Sequence, residues 1–160
     1  MRFKIIVSII LLMFLHSVNC KSQESFNRIF KSSKDKIAEI ENLGYKVIHL
    51  DLDILNSSEK EETRISLNTG YNYVIAACGD QDRIKTVQIE LYEEINNKRT
   101  LIQEGRDGKA PSGSSVINFK PEKDNSFLIM VFADKFSSGT VNTGRYYLIV
   151  ASKPSPVEIK

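Results

Sequence analysis

A chain of 160 residues is long enough for one domain with a genuine core and too short for two of ordinary size. It carries 22 lysines and arginines against 20 aspartates and glutamates; Arg2 and Lys4 are the only charges in residues 1–20, so the rest of the chain is balanced. That balance, with signs alternating along the sequence, lacks the basic surplus on which nucleic-acid binding depends, and no nucleic-acid partner is expected.

The chain opens with Arg2 and Lys4, an apolar run from Ile5 to Leu15, and then small or polar residues. This is the layout of a secretory signal over residues 1–20, and the run is about half the ~20 apolar residues a spanning helix needs. Export to the bacterial periplasm, the outer membrane or cell surface, or the medium follows. The stretch "HSVNC" resembles a lipobox, with Ser17 where leucine is usual. Two routes therefore stay open: lipidation of Cys20, giving an envelope lipoprotein, or ordinary cleavage, giving a soluble protein. Contact with a membrane is expected only through that anchor. With Cys20 lipidated or removed, Cys78 has no partner for an internal disulfide, and the core must hold the fold.

Residues 21–44 form an amphipathic helix in this reading. Phe26, Ile29, Phe30, Ile37 and Ile40 recur at helical spacing, Ser33 fills the gap in the stripe, and Gly44 supplies the stop. Lys31, Lys34, Asp35 and Glu41 make the opposite, solvated face; acids among the bases disfavour a basic membrane-binding helix. From Tyr45 the period changes to two. In "YKVIHLDLDIL", Ile48, Leu50, Leu52 and Ile54 point one way and His49, Asp51 and Asp53 the other. Further strands are expected at "TRISL", "YNYVIAAC", "KTVQIELYE", "RTLIQE", "SVINFK", "SFLIMVFA" and "RYYLIVAS", separated by turn residues. About eight short strands without intervening helices cannot form a parallel sheet, whose crossovers need about a dozen residues. The fold class is mainly β: an antiparallel, jelly-roll-like sandwich over 45–153, preceded by one helix. Two long loops, Gly105 to Ser115 and Asp134 to Gly144, are candidate rims of a binding face. The tail at 154–160, with two prolines, is expected to be disordered.

From Thr63 to Ser152, the stretches "GYNYVIAACGDQD", "VQIELYEE" and "GRYYLIVAS" resemble the bacterial pre-peptidase C-terminal domains, small jelly-roll sandwiches of secreted proteins. Calcium-binding members of that family place several aspartates before the central tyrosine. Here Glu90 is the only acid before Tyr92, and Gln88 stands at an expected carboxylate position, so no metal site is carried over.

The chemistry available is narrow. His49 is the only histidine outside residues 1–20. A Cys78 thiol paired with it is one reading; a small buried strand residue is the other, and the alternation of Val74, Ala76 and Cys78 favours the second. The cluster of His49, Asp51 and Asp53 is the best polar constellation, either an acid–base or metal site of a small hydrolase or the wet face of an edge strand. Phosphate loops and a nucleophile elbow are absent from the sequence. No catalytic residue, metal ligand or cofactor is assigned. The expected function is a non-catalytic binding or adhesion module of the envelope that recognises a protein or glycan, or a plain structural lipoprotein. Tyr71, Tyr73, Tyr92, Tyr146 and Tyr147 are candidates for stacking on a ligand, with cross-strand packing as the commoner use. In "AACGDQD", Gly79 to Asp82 is read as a turn with solvated acids.

Overall fold

The computed structural model describes residues 23–96, 98–105, 114–137 and 141–156. The expected signal segment, Cys20 and residues 157–160 of the tail lie outside them.

Helix α1 spans residues 23–42. Gly44 stops it at φ 82°, a left-handed conformation that only glycine adopts without steric cost, and Tyr45 N–H reaches back to the Ile40 carbonyl at 3.3 Å. Eight strands follow, as the alternation predicts: β1 Lys46–Asn56, β2 Glu61–Leu67, β3 Tyr71–Gly79, β4 Ile84–Ile95, β5 Lys98–Gly105, β6 Ser114–Phe119, β7 Asn125–Phe136 and β8 Thr143–Pro154.

The pairing is that of a chain folded back on itself. β1 pairs with β8, β2 with β7, β3 with β6 and β4 with β5, all antiparallel. These pairs fall alternately in two sheets, and the β3–β8 and β4–β7 ladders complete them. Sheet A runs β1-β8-β3-β6 and sheet B runs β2-β7-β4-β5. A doubled ribbon wound in this way is a jelly roll, with two four-stranded sheets face to face. β8 continues one residue past the expected limit: Pro154 stands opposite Tyr71, and Ser155 N–H donates to the Gly70 carbonyl at 2.7 Å.

The inner faces interdigitate through Leu55, Leu67, Ile75, Ile89, Leu91, Ile117, Ile129 and Leu148, all at 0% exposure. Close packing at one end depends on Gly79, where a Cβ would lie 2.7 Å from the Ile84 Cβ and 3.0 Å from the Val87 Cγ2.

The two outer faces are covered differently. On sheet A, Val74, Ala76, Cys78, Tyr147, Ile149 and Ala151 are buried with Ile29 and Ile40 of α1. Burial on both sides is why β3 and β8 read as nearly unbroken apolar runs. On sheet B, charged side chains lie across the strands. Lys60 pairs with Glu90 at 2.8 Å, Arg64 with Glu94 at 3.1 Å, and Arg99 with Glu62 at 2.8 Å and Glu94 at 3.6 Å. Lys60 also sits 4.2 Å from the centre of the Phe132 ring. Outward-facing Leu128 and Met130 are buried beside this mesh, whose long aliphatic stems shield apolar surface while their heads stay wet.

Candidate functional site

The inward side of α1 takes only part of its apolar stripe. Ile29 and Ile40 are buried and Ile37 is half-buried, but so are Ser25 and Ser33, while Phe26 and Phe30 are turned outward. The serines are small enough to let the helix approach β3 and β8 closely. Ser25 Oγ donates to a carboxylate oxygen of Asp80, and Ser33 Oγ donates to the Phe30 carbonyl at 2.8 Å.

Asp80 overturns the expectation that the acids after β3 are solvated. It is only 5% exposed. Its N–H donates to the Arg145 carbonyl at 2.8 Å, and its carbonyl accepts from Arg83 N–H at 2.8 Å and Ile84 N–H at 2.7 Å. The loop is thereby tied to β8, to β4 and, through Ser25, to α1. Asp82 matches the expectation: it is exposed and meets the Arg28 guanidinium at 2.6 Å.

Between α1 and the β3–β6 half of sheet A, this arrangement leaves a polar groove. Two adjoining cavities make it up. One, ≈ 260 Å³, is lined by Arg28, Ser32, Gln81 and Asp82; the other, ≈ 450 Å³, by Asp35, Lys36, Glu39 and Ser114, with Ser32, Cys78 and Gln81 shared. Lys36 is held by Glu39 at 2.9 Å. The wall offers both signs of charge, hydroxyls and an amide over a floor of Ala76, Val116 and Tyr147. It contains groups that bind by hydrogen bonds and ion pairs.

Cys78 lies at the head of the groove, buried on the helix side of β3 as the alternation predicts. Its thiol and the Ser32 hydroxyl both meet the Tyr147 phenol. Burial first, then Cys78, pushes that phenol well above its ordinary 10.0, while Ser32 opposes the shift. His49 is not brought to Cys78. It stands opposite Val150 on β1, whose side chain points between the sheets, with β8 separating β1 from β3. The thiol–imidazole pair is not assembled.

β1 is an edge strand, but its sidedness is the reverse of a simple wet outer face. An irregularity between Val47 and His49 sets Ile48 out of register. Beyond it His49, Asp51 and Asp53 stand opposite Val150, Leu148 and Tyr146, on the inter-sheet side at the open edge of the sandwich. Burial first, then Asp53, Glu59 and Asp51, raises the Glu61 carboxyl above its ordinary 4.5. Burial and then Asp51, Glu61 and Asp53 raise the Tyr146 phenol. His49 Nε2 is buried without a hydrogen-bond partner. Among the described residues no group of three or more His, Cys, Asp or Glu side chains is placed to hold a metal ion. Leu50, Leu52 and Ile54 take the α1 side of β1, where Leu50 and Ile54 remain exposed.

The tyrosines divide. Tyr73, Tyr146 and Tyr147 are buried and present no stacking surface. Tyr92 is half-buried on sheet B and donates to Glu90 at 2.9 Å, and Tyr71 is exposed beside Tyr73. Sequence reasoning missed a third cavity, ≈ 350 Å³, between Ile102, Phe119 and Phe127 and rimmed by Glu93, Lys120 and Lys123. Of the expected binding loops, residues 106–113 and 138–140 lie outside the described residues.

No protein-family model matches the chain, and no curated protein matches it. The resemblance to pre-peptidase C-terminal domains therefore extends to the two-sheet sandwich and no further. Among solved structures the chain is similar to Aeromonas hydrophila PliG, a periplasmic inhibitor of g-type lysozyme, at 11% identity and TM-score 0.47 over 69% of this chain and 90% of that one. It is similar to the Yersinia pseudotuberculosis-derived mitogen at 9% identity and TM-score 0.44, over 70% and 88%. A third likeness is to a CBM4 structure at 12% identity and TM-score 0.39, over 70% and 79%. None of these TM-scores reaches 0.5, and the fold assignment rests on strand order and register.

Proposed function

We propose that the chain is an exported, non-catalytic binding module of the bacterial envelope that recognises a glycan or a polar protein segment in the groove beside α1. The observation that carries this reading is the groove itself. It is walled by paired charges, hydroxyls and Gln81, and its loop is fixed through buried Asp80. Such a wall suits hydrogen bonding to a polar ligand held on a rigid scaffold. The signal-like residues 1–20 support export, and Cys20 is the residue that would carry an anchor.

The test is a titration of isotope-labelled protein with soluble envelope glycans and with purified envelope proteins, followed by backbone amide shifts. Shifts concentrated at residues 78–82 and along Ser32 to Glu39 are expected. Gln81→Trp, which fills the groove from an exposed position, should abolish them while leaving the melting temperature unchanged. Shifts centred on β1, with chemical turnover of the ligand that His49→Ala removes, would establish the hydrolase reading in its place.

A further inference from the structure

The other flank of α1, over β1, is built in the opposite way from the groove. Phe26 and Phe30 are 43% and 40% exposed, and their rings lie parallel with centroids 6.1 Å apart. Leu50 and Ile54 on the neighbouring face of β1 are 41% and 42% exposed. Arg145 joins the two groups. It stands opposite Ile54 in the β1–β8 ladder, and its guanidinium is 5.6 Å from the centre of the Phe26 ring. Lys34 holds the matching place 4.7 Å from the Phe30 ring. Among the described residues neither cation has a carboxylate partner.

We infer that this flank is a peripheral membrane contact: Phe26, Phe30, Leu50 and Ile54 enter the headgroup–acyl boundary of a bilayer, and Lys34 and Arg145 meet anionic headgroups. The inference goes beyond the binding reading and shares with it only the premise of export. Apolar side chains ringed by cations are the composition that holds a surface helix in a lipid interface. Chain position agrees, because Cys20 and the apolar run Ile5–Leu15 precede α1 in the sequence. A few extended residues span only ~10 Å, which keeps the first turns of α1 beside any anchor at Cys20. A second copy of the chain is a poorer occupant. β1 is interrupted at Ile48 and lined inside by Asp51 and Asp53, and inward charges and bulges oppose edge-to-edge pairing.

The protein contains no tryptophan, so Phe30→Trp in the full chain gives a single reporter, with Leu101→Trp on the outer face of sheet B as its control. Vesicles of three parts phosphatidylcholine to one part phosphatidylglycerol, with and without brominated chains, are the probe. The Phe30→Trp emission should shift to the blue and be quenched by the brominated lipid, and that of Leu101→Trp should do neither. The double variant Phe26→Ser/Phe30→Ser, with its melting temperature checked to show that it is folded, should partition about tenfold less. Emission from Phe30→Trp that does not change with vesicles overturns the inference, as does undiminished partitioning of the double variant. A blue shift that depends on protein concentration without lipid, with a dimer in sedimentation, assigns the flank to a second copy and equally overturns it. None of these results bears on the groove, whose amide shifts are read separately.

Discussion

The outer faces of the two sheets answer one physical problem in two ways. Each has apolar side chains pointing away from the inter-sheet core. Sheet A hides Val74, Ile149 and Ala151 beneath a helix, whereas sheet B shields Leu128 and Met130 with crossing lysine, arginine and glutamate stems. A helix is a rigid cover narrower than a four-stranded sheet, so it leaves a flank on either side. A mesh of side chains instead conforms to the face beneath it. That difference places both the polar groove and the aromatic flank on sheet A.

The largest expected effect therefore comes from loosening the helix. Ile40, on the inward side of α1, is 2% exposed, and Ile40→Ala should lower stability by about 2–4 kcal/mol through lost burial and the cavity left behind. Denaturant unfolding measures this. Groove binding should weaken in the same variant, because Ser32, Lys36 and Glu39 are carried by the same helix. A stability loss below about 0.5 kcal/mol would mean that the helix is not the cover of sheet A.

Proton activity should separate the faces next. The Tyr147 phenol under α1 is raised in the folded state, so its contribution is fully present below the ordinary 10.0 and is lost as pH climbs through the folded value. Tyr147→Phe should flatten the alkaline limb of stability against pH. Glu94 behaves inversely. Its hydrogen bond with Arg64 lowers the carboxyl below its ordinary 4.5, so its contribution is present above that value and is lost as pH falls. Glu94→Gln should flatten the acid limb and leave the alkaline one unchanged. Melting temperature against pH for the two variants is the measurement, and a change in the same limb for both would remove the distinction.

Most of the fold was legible because period-two alternation is a backbone property that survives in sequence. All eight strands fall where "YKVIHLDLDIL" to "RYYLIVAS" place them. The helix was legible in position but not in rotation. Helical spacing groups Phe26 and Phe30 with Ile29 in one stripe, while the packing distance to β3 and β8 selects Ile29 with Ser25 and Ser33. Nothing local in "NRIFKSS" records how close those strands come. Asp80 was misread for the same reason. Its burial depends on Ser25, fifty-five residues earlier, and on the Arg145 carbonyl of a strand that arrives much later. The groove is a product of such long-range meetings, whereas Cys78 followed simple parity and was placed correctly.

The smallest expected effect belongs to the mesh on sheet B, and it is the most discriminating. Arg99 pairs with Glu62 and Glu94, which raises the guanidinium further and keeps it charged at any working pH. Exposed ion pairs of this kind contribute little each, because solvent screens the attraction and holding two long side chains costs entropy. Arg99→Ala removes both the charge and the stem, whereas Arg99→Met keeps an apolar stem of similar reach. If the mesh protects sheet B mainly by covering it, Arg99→Met should match the parent in denaturant unfolding and Arg99→Ala should fall slightly below it. The difference between the variants should persist at high salt, where ion pairing fades. Equal losses in both, vanishing together as salt rises, would make charge the operative term and the two covers alike only in appearance.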